Sequence, residues 1–193
     1  MAKDIFRTPL AEVCWAHLIT PRHQLDKSKP KAWTADLLLP NSDEQAQSFL
    51  LAMEDQFIAL HGSRKRRAEK GFPWKPDKEK PTEITVVRFK VPQFQRRDGS
   101  LSDGPRIVDA RKQPWDGAAI GNGSKVIVAF DIYDWDGENG CGMTFQPRAV
   151  QVVEFVPFEQ VDPTDGFEEV EGYTTGAGNG SGWAVDDDDE AAF

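Results

Sequence analysis

Residues 124–135 read SKVIVAFDIYDW and residues 142–156 read GMTFQPRAVQVVEFV, with Asp136-Gly137-Glu138-Asn139-Gly140 between them. β-Branched and aromatic residues dominate both runs, and the Asp, Asn and Gly residues between them supply a chain reversal, so the pair predicts a long β-hairpin. This hairpin decides the fold class, because it leaves the rest of the chain to supply strands that cover it.

Upstream of the hairpin, residues 106–110 form a short strand candidate, preceded by successive turns at residues 96–100 and 102–105. Residues 82–91 (TEITVVRFKV) have strand character up to Pro92, and their alternation puts Arg88 and Lys90 on one face and Val87 and Phe89 on the other. Residues 64–81 are polar and carry Gly71, Pro73, Pro76 and Pro81, which predicts a long loop. Residues 32–39 alternate Trp33, Ala35 and Leu37 against Thr34 and Asp36, and residues 10–20, with Val13, Trp15 and Ile19, form a further strand expected to stop at Thr20-Pro21. After residues 32–39, and before the later strands, a cap at residues 41–44 opens one helix. Ala46, Phe49, Leu50, Met53, Phe57 and Leu60 share its apolar face, and Gly62 stands at its stop. At least five strands and a single helix predict a mainly β chain: an OB-fold-like small β-barrel with one main α-helix and long loops.

The net charge of −9 hides a division along the chain. Residues 161–193 hold ten acids and no Lys or Arg, which leaves 22 acids against 23 bases for residues 1–160. The stretch 174–182 (TTGAGNGSG) cannot bury enough surface to offset the entropy of ordering it. The expected organisation is therefore a folded domain over residues 1–160 and a disordered acidic C-terminal tail over residues 161–193. No apolar run approaches the roughly 20 residues a membrane helix needs, and residues 1–5 lack a signal-peptide core, so no membrane association and an intracellular location are expected. Cys14 and Cys141 lie far apart outside any Cys-x-x-Cys pair and read as small buried residues without a disulfide.

Within residues 61–115 stand 15 Lys and Arg against seven acids. Single-stranded DNA offers phosphates at intervals and unpaired bases with exposed faces, so a binder needs cations interleaved with planar side chains. The candidates are Arg64, Lys65, Arg66, Arg67, Trp74, Lys75, Arg88, Lys90, Phe94, Arg96, Arg97, Arg106, Arg111, Lys112 and Trp115. Phe89 reads as core, whereas Trp74 and Trp115, in Pro-rich segments beside cations, are the preferred stacking rings. A flexible polyanion can compete with DNA for such a surface. Asp186, Asp187, Asp188, Asp189, Glu190 and the terminal Phe193 further suit a partner pocket that pairs a hydrophobic hole with a basic rim.

The residues 186–193, DDDDEAAF, resemble the acidic, Phe-terminated tip of bacterial and phage single-stranded DNA-binding proteins. The run Asn122-Gly123-Ser124-Lys125-Val126, the hairpin through Tyr133, Trp135, Asp136 and Gly137, and residues 148–153 (RAVQVV) are similar to a phage family first known as a domain of unknown function. That family is associated with single-stranded DNA binding through an OB-fold, and the resemblance covers residues 8–158. It implies a role in phage DNA replication, recombination and repair in the cytoplasm of the infected bacterial host, with replication proteins such as a polymerase or helicase engaging the tail. Its motifs are strand and turn patterns, so it assigns no individual binding residue, and it leaves monomer and dimer both open.

Catalysis has no visible seat. Asp131, Asp134, Asp136 and Glu138 suggest a metal-dependent nuclease, but a calcium loop begun at Asp134 would place Asn139 where Gly is needed and Phe145 where Glu is needed. His17, His23 and His61 have no metal-ligand spacing, and no phosphate loop or nucleophile elbow is present. A non-enzymatic binder without metal or cofactor is expected. The alternatives are a single-strand annealing or recombination-mediator protein using the same groove, and a virion or scaffold protein whose tail mimics DNA.

Overall fold

The computed structural model describes residues 4–62, 66–158, 167–168 and 170–171. In chain order its elements are β1 (Phe6–Arg7), β2 (Ala11–Arg22), β3 (Ala32–Pro40), α1 (Glu44–His61), β4 (Trp74–Pro76), β5 (Ile84–Pro92), β6 (Arg106–Val108), β7 (Lys125–Gly137) and β8 (Gly140–Glu154). The chain divides into two units, Met1–Glu159 and Gln160–Phe193, and the elements of the described residues belong to the first.

The β7–β8 hairpin pairs from Lys125↔Glu154 to Gly137↔Gly140. Gly140 adopts φ +120°, and a Cβ there would lie 2.6 Å from the Arg66 carbonyl oxygen, so no other residue fits the start of β8. β7 pairs antiparallel with β2, β2 with β3 and β3 with β5. β5 returns to β8 in parallel at Phe89↔Phe145, which closes a five-stranded ring in the order β2-β3-β5-β8-β7. A closed five-stranded Greek-key barrel of this kind is the OB-fold. β4 lines the first half of β5, β6 pairs in parallel with β8, and β1 pairs with β7, giving one mixed eight-stranded sheet.

Alternation sends Val13, Ala35, Leu37, Leu39, Val87, Phe89, Val126, Val128, Phe130, Phe145 and Val150 inward to full or nearly full burial. Phe130 and Phe145 meet at 4.5 Å between ring centroids, and Phe89 lies 5.2 Å from Phe130. The helix α1 adds Phe49, edge-on to Phe130 and Phe145, together with Ala46, Leu50, Met53 and Phe57. Its N-cap is Asp43, whose carboxylate accepts from the Gln45 amide, and Gly62 at φ +71° ends it.

Several expectations need correction. β2 runs through Pro21 to Arg22 with an irregular register, because a bulged strand tolerates a proline that a regular ladder rejects. Residues 64–81 contain strand β4, whose pairing with β5 compensates for its prolines. The two-residue β1 carries too short a pattern to be read from sequence. Leu60 is exposed on α1, because the buried stripe steps four residues from Phe57 to His61, which takes the inward position with Nε2 3.1 Å from the Gly142 carbonyl oxygen. β6 ends at Val108, because the Asp109 carboxylate accepts from the Arg111 and Gln113 amides in a turn. Cys141 is buried as expected but Cys14 is only partly so, and both are free thiols.

Replacing Phe130 by alanine should remove about 3–5 kcal/mol, a large share of the roughly 5–15 kcal/mol typical of a domain. Urea unfolding checks this. A midpoint shift worth less than about 1 kcal/mol would show that the three-ring cluster does not hold the barrel together.

Candidate nucleic-acid interface

Where the inward residues of β3 and β5 build the core, their outward partners build a surface, and the strand register arranges it in rows. His17, Thr34 and Lys90 lie across β2, β3 and β5; Cys14, Asp36 and Arg88 form the next row; Glu12, Leu38 and Val86, extended by Lys75 on β4, form the third. Barrels of this type bind oligonucleotides on the face of their second and third strands, here β3 and β5, and on the loop joining the first two. That loop, residues 23–31, carries Lys27, Lys29 and Lys31 against the single acid Asp26. Gln24 Nε2 ties it by donating to the Pro30 carbonyl at 2.6 Å, and the fully exposed Leu25 projects from it.

The rows are not uniformly basic. Arg88 grips Asp36 through two hydrogen bonds, Nε to Oδ1 at 2.7 Å and Nη2 to Oδ2 at 2.6 Å. Asp36 is buried beneath it while the Arg88 side chain stays 60% exposed, so the guanidinium is held as a flat, solvent-facing plate. Lys90 bonds the Gln24 side chain, and burial, followed by Lys29 and Arg88, lowers its pKa. Burial, followed by Arg22, likewise lowers the His17 pKa. Burial, followed by Asp36, pushes the Cys14 thiol up to about 11.

One large aromatic stands clear on this face. Between Cys14 and His17, β2 spends three steps where β3 spends two, a bulge that turns Cys14 and Trp15 outward together. Trp15 sits at φ +51°, its indole 66% exposed, and the amide released from the ladder donates to Asn122 Oδ1 at 2.9 Å. Phe94, just beyond β5, is 59% exposed.

Of the residues expected from sequence, Lys75, Arg88, Lys90 and Phe94 come together on or beside this face. Arg96 is tied to Asp103 at 2.5 Å and Arg97 is exposed beside it in the turn after β5. Trp74 is not a free ring: it stacks on Phe72 at 4.3 Å and lies 5.8 Å from Phe145. Trp115 is half-buried edge-on to Phe155 at 5.0 Å, with Nε1 donating to the Ala118 carbonyl. Arg67 lies over the Phe72 ring at 4.2 Å, and Arg66 and Arg67 both line a separate hollow near the β7–β8 turn. Arg106, Arg111 and Lys112 belong to β6 and the turn after it, away from β3. Arg64, Lys65 and the tail residues Asp186, Asp187, Asp188, Asp189, Glu190 and Phe193 lie outside the described residues.

Sequence reasoning missed Trp15, Lys27, Lys29 and Lys31. The lysines stand in a short segment rich in Lys, residues 23–31, and nothing local says that it flanks β5. Trp15 read as one side chain of a regular strand, because a bulge leaves no signature in a single sequence. Asp131, one of the carboxylates considered for a metal, is buried and bonded to Arg148 at 2.7 Å. Among the described residues, no group of three His, Cys, Asp or Glu could hold a metal ion, and no helix is long and apolar enough to cross a membrane.

No protein-family model and no curated protein sequence matches the chain. Solved structures do. The chain is similar to gp2.5, a single-stranded DNA-binding protein encoded by bacteriophage T7, at 21% identity and TM-score 0.61, covering 90% of this chain and 99% of that one. It is also similar to the single-stranded DNA-binding protein from bacteriophage Enc34 in complex with ssDNA, at 12% identity and TM-score 0.60, covering 80% and 89%. A C-terminal truncation of the Enc34 protein matches at 13% identity and TM-score 0.62. The fold of this chain is the fold of these phage proteins.

Two outcomes follow from the geometry of β2. A left-handed conformation costs a non-glycine residue about 1–2 kcal/mol, more than the 0.5–1 kcal/mol or so that glycine loses in chain entropy, so Trp15→Gly should raise the urea midpoint slightly. A fall in stability would mean that the indole is held by packing. Alkylation of Cys14 by iodoacetamide should be slow at pH 8 and accelerate only as the pH nears 11, checked by mass spectrometry of the modified peptide.

Proposed function

We propose that this chain is a phage-type, sequence-independent single-stranded DNA-binding protein. It coats and protects exposed strands during phage DNA replication, recombination and repair, in the cytoplasm of the infected host. Residues 1–160 form the binding domain. The acidic tail of residues 161–193 recruits replication proteins such as a polymerase or helicase and competes with DNA for the barrel. The protein acts without catalysis, metal or cofactor.

The observation that carries this reading is the outer face of β3 and β5. It sets the pinned guanidinium of Arg88 and the amine of Lys90 beside the basic residues 23–31, with the exposed indole of Trp15 within the same three-strand surface. Cations hold the phosphates there and exposed rings stack on bases, a combination that tolerates any sequence because every base has a π face. The likeness in fold to the T7 and Enc34 proteins supports it, the latter having been solved in complex with ssDNA.

Fluorescence anisotropy against an oligothymidine and a duplex of equal length, across a salt series, tests the proposal. The single strand should bind better, with a salt slope near −0.7 per phosphate contacted, and equal affinity for both forms would overturn it. Trp15→Gly should weaken single-strand binding by about 1–3 kcal/mol, roughly five- to 150-fold. Removing residues 186–193 should tighten DNA binding while abolishing capture of the replication partner. Unchanged DNA affinity after that removal would overturn competition by the tail.

A further inference from the structure

A second surface lies on the outside of β7 and β8, separated around the ring from β3 by β2 on one side and β5 on the other. Here the register lines up one row across four strands: Arg106 on β6 faces Ala149 on β8, Ala149 faces Ala129 on β7, and Ala129 faces Arg7 on β1. Three interstrand steps of roughly 4.8 Å set the two arginine backbones about 14 Å apart. The two alanines between them leave a trough, which widens beside Ile127 and under Lys112 into a hollow of about 430 Å³.

Three features distinguish this trough from an ordinary solvated sheet face. Arg7, Arg106 and Lys112 make no ion pair among the described residues, whereas Arg88, Arg96 and Arg148 are each committed to a carboxylate. Lys112 is held toward its position by a left-handed backbone at φ +64° in the turn that Asp109 organises. The floor includes the side chains of Ala129, Ala149 and Ile127, an apolar lining that offers van der Waals contact to a flat group. The cations are also connected to the first face: β5 carries Arg88 and Lys90, the excursion after it carries exposed Phe94 and Arg97, and that excursion delivers the chain to Arg106.

We propose that this trough is a second contact surface for single-stranded DNA. A strand lying on β3 and β5 continues along the β5–β6 excursion, and its phosphates reach Arg106, Lys112 and Arg7 while a base lies over Ala129 and Ala149. The inference rests on the function proposed above and adds to it a path around the barrel, so that strand length decides how much of the protein is engaged.

The experiment compares the full chain with its R7Q/R106Q/K112Q variant, binding oligothymidines of about 8 and about 30 nucleotides with DNA in excess, so that each strand carries one protomer. The short strand should bind both proteins alike. The long strand should bind the variant more weakly, with a salt slope smaller by about 2, three phosphates at roughly 0.7 each. A second variant, A149L, fills the trough without changing charge and should also weaken the long strand alone. Equal loss on both lengths would overturn the inference, since the cations would then act as a general field. So would a long-strand slope in the variant equal to that of a wild type that binds, and this would leave the proposed function standing. A wild type that binds neither length overturns the function itself. A loss that disappears when Asp186, Asp187, Asp188 and Asp189 are changed to asparagine in the full chain would assign the trough to the tail and also overturn the inference.

Discussion

The barrel closes through one point. β5 and β8 share a single paired position, Phe89↔Phe145, and those two side chains are also fully buried members of the core. The backbone ladder therefore contributes little to closure, and the association of β5 with β8 depends on Phe89 and Phe145 meeting Phe130 in the interior. Burying three phenylalanines at about 1.5–3 kcal/mol each outweighs what one parallel pair can supply. α1 reinforces the same cluster through Phe49, so the helix inserted between β3 and β5 is a structural support for closure and not a separate feature of the surface.

Closure also fixes which residues can act together on the outside. Because β3 lies between β2 and β5, residues more than fifty positions apart, such as Asp36 and Arg88, become neighbours in one row. Asp36 removes a positive charge from the face in net terms, yet it fixes the Arg88 plane in advance of any ligand. An immobilised guanidinium loses less entropy on stacking or bonding than a free one, and this preorganisation offsets part of the charge forgone. The bulge at Trp15 works in the same way. Its positive φ is a local cost, and the result is an indole displayed to solvent from a strand whose regular alternation would have turned it inward.

The long elements were legible because their signals are local. The β7–β8 hairpin, the alternation of β3 and β5 and the cap-to-stop pattern of α1 depend on residues within one window, and the structure keeps them within a few positions. What the sequence left obscure depends on contacts between windows. β4 is a strand only because β5 offers it an edge, β1 only because β7 does, and Pro21 is tolerated only because β2 is already irregular there. The candidate site divides along the same line. Arg88 and Lys90 were placed on one outward face by alternation alone, but Trp74 and Trp115, judged from their prolines and neighbouring cations, are engaged by Phe72 and Phe155. Composition counted the cations correctly without showing that Arg106 and Lys112 belong to a different surface from Arg88.

The charge balance constrains how such a protein can bind. Residues 1–160 carry only one more base than acid, and on the first face Asp36 offsets Arg88, while Asp36 and then Glu12 add to the burial that raises the Cys14 pKa. With its cations interspersed among nearly as many acids, the folded part gains less from counterion release than a uniformly basic body would, and that release is the main term available to a duplex whose bases are hidden. Under the proposed function, contacts with exposed bases would supply the remainder, and Trp15, Phe94 and Leu25 stand exposed to make them. The proposed preference for single strands then needs no element that rejects duplex: apolar groups that only unpaired bases can reach, beside a limited set of cations, would be enough.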